Sequence, residues 1–181
     1  MNKFFGHLKT VRTHRRAVRK FCFKMGIPLQ GLLHDLSKYS IKELSQYKYY
    51  TGKKSPHVTM REQIGYSTSW YHHRNRNKHH WEYWIDSLED KTAVEMPYKY
   101  VIEMLCDMAG AGYAYNKESW QPADVLKYWS AHKGSHRIIH PKTEALFAHL
   151  LNTLATFDNF EDFAKFYRRN KKVFIEWYNM L

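Results

Sequence analysis

The sequence is poor in the residues that cross-link chains or interrupt helices. Its 181 residues include 2 cysteines, 8 glycines and 5 prolines. Cys22 and Cys106 lie in apolar periodic segments, which indicates reduced core thiols and excludes a disulfide scaffold. Because strand-like alternation is also scarce, helices are favoured. No stretch approaches the roughly 20 apolar residues of a membrane-spanning helix, so we expect no membrane partner.

The charge is strongly one-sided, with 29 Lys and Arg against 17 Asp and Glu, a formal net charge of +12. Such a basic chain favours anionic partners, namely nucleotides, phosphate esters or nucleic acid. The 44% hydrophobic and 17% aromatic content is typical of a globular protein, and the length suits one domain over 1–181. Since the N-terminus enters a charged helical pattern without a signal-peptide segment, we expect a cytoplasmic protein.

Periodic apolar stripes divide the chain into helices. The stripe at positions 7, 11, 14, 18, 21 and 25 predicts a helix over 3–25. Further helices are predicted at 28–37, from a Ser40 cap to about Tyr47, and at 97–116, 121–131, 141–155 and 160–181, the last capped by Asp158. Loops are predicted at 48–58, where basic and aromatic residues suit a pocket mouth, at polar 86–95 and at basic 132–137. The fold class is therefore all-α.

Chemistry is concentrated first at His34 and Asp35, with Lys38 one helical turn beyond the histidine. An unpaired carboxylate in an apolar setting costs several kcal/mol, so Asp35 needs cations or hydrogen-bond donors facing it. His7 and His14 lie on the apolar stripe of the first helix, so either imidazole is a candidate to meet the pair.

A second concentration lies at 72–80, where four of the twelve histidines occur. If this segment is helical throughout, its imidazoles share one or two faces; if it breaks near 74–77, two His-His pairs can converge from separate elements. Neutral imidazole is the commonest metal ligand. A third signal is Asp107, a carboxylate in the middle of an almost fully apolar helix.

The inward polar groups together suit a metal centre rather than a structural zinc site, because no thiolate is among them. They are His14 (or His7), His34, Asp35, His73, His79, His80 and Asp107. Oxygen and imidazole ligands suit Zn, Mn, Fe, Ni or Mg. The set exceeds the four ligands of one tetrahedral ion, so we predict two divalent ions, with Asp35 as the bridge.

These residues resemble the HD superfamily of metal-dependent phosphohydrolases in their order along the chain. His34-Asp35-Leu36-Ser37-Lys38 looks like the His-Asp-x-Gly-Lys signature of the two-metal cyclic-dinucleotide phosphodiesterase branch, with serine in place of glycine. His79-His80 followed by Glu82 is similar to that branch's His-His-Glu, but no Gly-Tyr-Pro element follows. The run from His7 to Trp84, and on through the Cys106-Asp107 helix, is more similar to an uncharacterised family of small bacterial and phage proteins.

The resemblance implies an HD-like helical bundle and hydrolysis of a phosphomonoester or phosphodiester, in a nucleotide or related phosphorylated small molecule. It implies one metal site at His14, His34, Asp35 and Asp107, completed by a second at His73, His79 and His80. His7 can replace His14, and His72 can replace His73, in this assignment. Asp35 and Lys38 are the catalytic candidates, and Lys38, Arg15, Arg74 and Arg76 are the candidates for substrate binding.

Two other functions fit the same sequence. Some HD-fold proteins hold a di-iron centre and perform oxygenation, and a histidine and carboxylate site supports iron. Alternatively, the net charge and the interleaving of Arg and Lys with Tyr and Trp suit a basic helical nucleic-acid-binding protein without catalysis.

Overall fold

A computed structural model describes residues 2–87, 91–131 and 137–181 and confirms the all-α class. The α-helices are α1 (Lys3–Lys24), α2 (Pro28–Leu33), α3 (Ile41–Leu44), α4 (Pro56–Ile64), α5 (Thr68–Arg74), α6 (Tyr98–Asn116), α7 (Ala123–Ala131), α8 (Pro141–Leu154) and α9 (Phe160–Met180). Short 3-10 helices cover Leu36–Tyr39, Ser45–Tyr49, Trp81–Trp84 and Lys117–Ser119. In the described ranges, strand is limited to an antiparallel pair, β1 (Ile85–Asp86) and β2 (Thr92–Ala93).

Helices α1 and α6 form the central pair of the fold. The α1 stripe is buried as its spacing predicts, from His7 and His14 to Phe21. Helix α6 is buried on several faces because it is almost wholly apolar, and α8 and α9 supply further core residues such as Phe147 and Tyr167. Two polar residues of α6, Glu103 and Asp107, therefore point into a largely apolar interior beside α1.

The structure corrects the predicted helix at 28–37. Helix α2 ends at Leu33, and Asp35 adopts left-handed backbone angles with φ of 54°. This conformation is unfavourable by roughly 1–2 kcal/mol for a residue with a Cβ, and apolar periodicity cannot reveal it. The chain then continues as a 3-10 helix through Lys38, so the His-Asp pair lies at a break between two elements.

Other boundaries follow the sequence with small differences. Ser40 caps α3 as predicted, accepting a hydrogen bond from Glu43 N. The last helix is capped by Asn159 rather than Asp158, because the Asn159 side chain accepts from Asp162 N at 2.9 Å. Helix α5 ends at Arg74, so the His-rich segment is not helical throughout. This agrees with the second alternative, in which the two His-His pairs come from separate elements. The loop predicted at 48–58 shortens to 50–55, and 86–95 contains the two short strands.

Two features of the described chain bear on the sequence predictions. Residues 132–136 of the basic loop predicted at 132–137 lie outside the described residues. Among the helices that are described, none combines the length and the apolar character that crossing a bilayer requires.

Close contact between α1 and α6 makes Gly110 sensitive to substitution. A Cβ at Gly110 would overlap Val18 Cγ2 and lie 3.1 Å from Val18 N, on the facing backbone. We expect Gly110→Ala to lower the free energy of unfolding by about 1–2 kcal/mol, although alanine is favoured over glycine in helices by about 1 kcal/mol. Gly112→Ala is the comparison variant, because its Cβ would overlap a side chain, the indole of Trp120 at 2.5 and 2.8 Å, rather than a facing backbone, and we expect it to lower stability less. Urea denaturation measures both; equal or higher stability of Gly110→Ala would contradict the prediction.

Candidate metal centre

The first ligand group joins α1, the turn after α2, and α6. His14 Nε2 lies 3.1 Å from both Asp35 Oδ2 and Asp107 Oδ1. His34 Nε2 lies 3.2 Å from the same two oxygens and 3.3 Å from His14 Nε2. Ligand atoms bound to one ion at about 2.1 Å are separated by about 3.0–3.4 Å in octahedral or tetrahedral geometry. The spacing of these four atoms therefore suits one divalent cation.

The second ligand group uses the other oxygen of Asp35. His73 Nε2 lies 3.3 Å and His79 Nε2 3.5 Å from Asp35 Oδ1, and His80 completes a set whose ligand atoms lie within 4.8 Å of one another. Asp35 Oδ1, His79 Nε2 and His80 Nε2 are buried without a hydrogen-bond partner. An unsatisfied buried polar group costs about 1–3 kcal/mol, and a cation would satisfy all three at once. This donor set therefore fits a divalent ion.

Two glutamates contact the Nδ1 atoms of the imidazoles, on the side of each ring away from Asp35. Glu103 Oε1 lies 3.0 Å from His34 Nδ1 and 3.1 Å from His79 Nδ1. Glu43 lies 2.8 Å from the Nδ1 atoms of both His72 and His73. A carboxylate that accepts the Nδ1 proton leaves the Nε2 lone pair available to a metal. Since His34, His73 and His79 direct Nε2 toward Asp35, the three imidazoles are oriented as metal ligands would be.

The turn at Asp35 explains how neighbouring residues both reach the site. Adjacent side chains of a continuous α-helix diverge by about 100°. Ending α2 at Leu33 and placing Asp35 at positive φ allows both His34 and Asp35 to be buried. Arg15 supports the turn, because its Nε donates to the His34 carbonyl at 2.8 Å.

The electrostatics of the first group favour ionised carboxylates. Burial alone would raise the pKa of Asp35, but His34, Lys38 and His73 outweigh it and hold that pKa well below its ordinary value. Burial is likewise outweighed at Asp107, where hydrogen bonds to His14 and His34 lower the pKa. For His34, burial opposes the charge, yet Asp35, Asp107 and Glu103 raise its pKa. Without a metal, a proton on His34 is favoured between these carboxylates, and a divalent cation would displace it.

Lys38 is the cation nearest the two groups. Its Nζ lies 2.6 Å from Asp35 Oδ2, and its side chain is 23% exposed, so it reaches the site from the solvent side. Burial would lower its pKa, but Asp35 and Asp107 raise it, and the lysine is charged at neutral pH. A charged lysine in this position can contact an anionic group that approaches the centre.

The three candidate arginines lie in different surroundings. Besides the turn, the Arg15 guanidinium contacts the ring of Tyr39, 5.0 Å from its centroid. Arg76 donates from Nε to His72 Nε2 at 2.8 Å. Arg74 lies over the Tyr71 ring at 5.4 Å, and its buried Nε has no hydrogen-bond partner. Arg15 thus supports the turn, and substrate binding by all three arginines stays a prediction.

The geometry distinguishes the alternative histidines. His14 rather than His7 joins a ligand group, and His73 rather than His72. His72 pairs with Glu43 and Arg76 outside the groups. His7 is buried with neither ring nitrogen hydrogen-bonded, and burial and Lys38 lower its pKa to about 4. The structure therefore brings together all seven residues first assigned as metal ligands.

Sequence reasoning overlooked the two supporting glutamates. Glu103 lies one turn before Asp107 in the apolar helix, and this i, i+4 spacing of carboxylates is a signal that could have revealed it. Glu43 gives no such signal. Its place three residues after Ser40 is typical of a helix-capping pair, whereas its side chain is only 1% exposed and faces histidines.

Comparison with known proteins gives one family. No curated protein and no solved structure matches the chain. The sequence model of a family described as "Family of unknown function (DUF5662)" matches residues 3–153. That range includes every residue of both ligand groups, the two glutamates and Lys38. The protein therefore belongs to this family, DUF5662, whose description assigns no activity.

Proposed function

We propose that the protein is a metal-dependent phosphohydrolase acting on a phosphomonoester or phosphodiester, in a nucleotide or a related phosphorylated small molecule. One observation carries the proposal: each oxygen of the buried Asp35 carboxylate faces a different group of imidazoles. A carboxylate shared in this way is the expected bridge between two metal ions, which clamp a phosphoryl group in many phosphatases and nucleases. The motif order that resembles the HD superfamily supports the same class.

The donor set fits two divalent ions held by nitrogen and oxygen, without thiolate. Mn, Fe, Ni, Zn and Mg remain candidates for this set. Such ions, when bound, would lower the pKa of a coordinated water from 15.7 toward about 7 and polarise phosphoryl oxygens. His14, His34 and Asp107 would hold one ion, and His73, His79 and His80 the other, with Asp35 shared.

In this proposal the other residues of the site bind the substrate or orient the metal ligands. Lys38, held by Asp35 at its inner end, can bind a phosphoryl oxygen and stabilise the negative charge that grows during hydrolysis. Glu103 contacts His34 of the first group and His79 of the second, so a single carboxylate orients one imidazole in each group. Glu43 does the same for His73. The positive net charge favours the approach of an anionic substrate.

A di-iron oxygenase would use the same residues, and the need for oxygen separates the two reactions. Release of phosphate or p-nitrophenol under anaerobic conditions supports hydrolysis. Activity that requires oxygen, with iron as the bound metal, would reject the hydrolase in favour of the oxygenase.

The first prediction concerns Asp35. We expect Asp35→Ala and the isosteric Asp35→Asn to lose both metal content and hydrolysis of bis(p-nitrophenyl) phosphate, p-nitrophenyl phosphate and a nucleotide panel. Elemental analysis of protein purified without chelator measures the metal, and circular dichroism checks the helical fold. Asp158→Ala, at an exposed position before α9, is the control. Full metal occupancy in both Asp35 variants would show that the ligand assignment is wrong.

Lys38 separates substrate stabilisation from metal binding. We expect Lys38→Met to retain metal and lower kcat by about 10²–10³-fold, the effect typical of removing one transition-state contact. Steady-state kinetics and elemental analysis on the same preparation measure the two quantities. Loss of metal together with activity would instead make Lys38 a structural partner of Asp35.

Glu103 tests the orienting role. We expect Glu103→Gln to weaken metal affinity by about 10-fold or more, since loss of an outer carboxylate typically costs 10–100-fold. Competition with a chromogenic chelator measures the affinity. Glu118→Gln, at an exposed position, is the matched control. Unchanged affinity in the Glu103 variant would contradict the role.

A further inference from the structure

The outer face of α1 carries a basic cleft that the proposed hydrolase site does not include. A cleft of about 310 Å³ is lined by Arg12, Arg15, Arg16, Arg19, Gly31 and Tyr39. A second cleft of about 360 Å³ is lined by Arg16, Arg19, Lys20, Phe23 and Lys24. Because they share Arg16 and Arg19, the two clefts form one groove along α1, called here the α1 groove.

Most cations of the α1 groove have no acidic partner. In the part of the chain that the structure describes, no carboxylate lies within 4.0 Å of Arg12, Arg16, Arg19 or Lys20, and all four are exposed. Lys24, at the end of the groove, is paired with Glu161. Like charges this close repel one another unless an anion lies between them. The groove is therefore suited to a ligand with several negative charges.

The wall and floor of the α1 groove are fixed by packing. Helix α2 approaches α1 so closely that a Cβ on Gly31 would lie 3.2 Å from Arg19 Cα. Arg15 is tied to the His34 carbonyl and contacts the Tyr39 ring, which forms the far wall. A preformed groove binds a ligand with less loss of conformational entropy than a mobile surface does.

The length of the α1 groove suits an extended ligand that carries several phosphates. From Arg12 to Lys24 the helix rises about 18 Å, at about 1.5 Å per residue. Successive phosphates of an extended strand lie farther apart than the roughly 3.4 Å axial rise of a duplex, so the groove, with its four cations that lack an acidic partner in the described chain, matches about four of them. The rings of Phe23, 50% exposed, and Tyr39, 38% exposed, can stack on bases.

From this arrangement we propose that the α1 groove binds a single-stranded nucleic-acid segment through its phosphates. The site is distinct from the candidate metal centre, which lies on the opposite, buried face of α1 at His14. An anionic lipid surface is the rival occupant, since Leu29, Leu32 and Leu33 on α2 are exposed. The row of cations, unpaired within the described chain, with two exposed rings beside it favours a strand, because successive phosphates can pair with the cations while bases stack on the rings.

The test measures fluorescence anisotropy of a labelled 15-nucleotide oligothymidine with the full chain at increasing salt. We expect the logarithm of the binding constant to fall with the logarithm of salt with a slope of about −3, near −0.7 per phosphate contacted. The charge reversals Arg16→Glu and Arg19→Glu together should weaken binding at least about tenfold and reduce the slope by more than one. Arg168→Glu with Arg169→Glu is the matched control, because these exposed arginines of α9 line neither cleft.

The outcomes separate this proposal from the hydrolase. Asp35→Asn should bind the oligonucleotide as the wild type does, and the Arg16/Arg19 variant should keep its metal. Equal weakening in the α9 control would reduce the effect to net charge and overturn the site. Binding to vesicles of phosphatidylcholine and phosphatidylglycerol, with no binding to oligothymidine, would overturn it in favour of a lipid surface.

Discussion

The burial of the Asp35 carboxylate is the constraint on which the rest of the structure depends. A fully buried carboxylate is stable only when cations or donors surround it. Here Oδ2 contacts Lys38 and imidazoles, whereas Oδ1 faces two further imidazoles without a hydrogen bond. His14 comes from α1, His73 from α5, and Lys38 from the turn itself. His14 lies in its place because α1 is fixed by apolar packing against α6, whereas α5 buries only Ser69 and His73 and is held by polar contacts. The packing of the core therefore sets the positions of the polar side chains on α1 and α6. The contacts between those side chains in turn restrict how the helices can shift along one another.

The contact between α1 and α6 shows this coupling most directly. Gly110 allows α6 to approach Val18, and Val18 lies one turn after His14 on the same stripe. Asp107 lies three residues before Gly110, so the approach that closes the apolar contact also brings Asp107 Oδ1 to 3.1 Å from His14. A bulkier residue at position 110 would separate the helices and lengthen that distance. One glycine thus serves both stability and the candidate site.

Much of this arrangement could be predicted from the sequence, because inward faces are set by periodicity. The stripe on α1 places both His7 and His14 on the inward face without the structure, and the apolar surroundings of Asp107 mark it as unusual. Periodicity could not choose between His7 and His14, since both lie on the stripe and only the position of α6 distinguishes them. It also could not predict the left-handed Asp35, whose conformation depends on the contacts that surround it. Glu43 was hidden for a different reason, since its spacing from Ser40 has an ordinary explanation as a cap.

The charges of the centre bear on its chemistry. Asp35, Asp107, Glu103 and Glu43 are four carboxylates, and Lys38 is the lysine among them. Such a centre repels a phosphate unless protonated imidazoles or metal ions reverse its sign. The carboxylates outweigh burial and raise the pKa of His34, but a protonated imidazole has no lone pair with which to coordinate a metal. Two divalent ions would balance the four carboxylates while leaving the imidazoles neutral. With the charge of Lys38 added, a site that excludes anions would become one that attracts them. The formal charge of +12 would by itself hold a phosphate ester on the surface of the chain. In the proposed reaction, the ester could reach the buried centre only when metal ions occupy it.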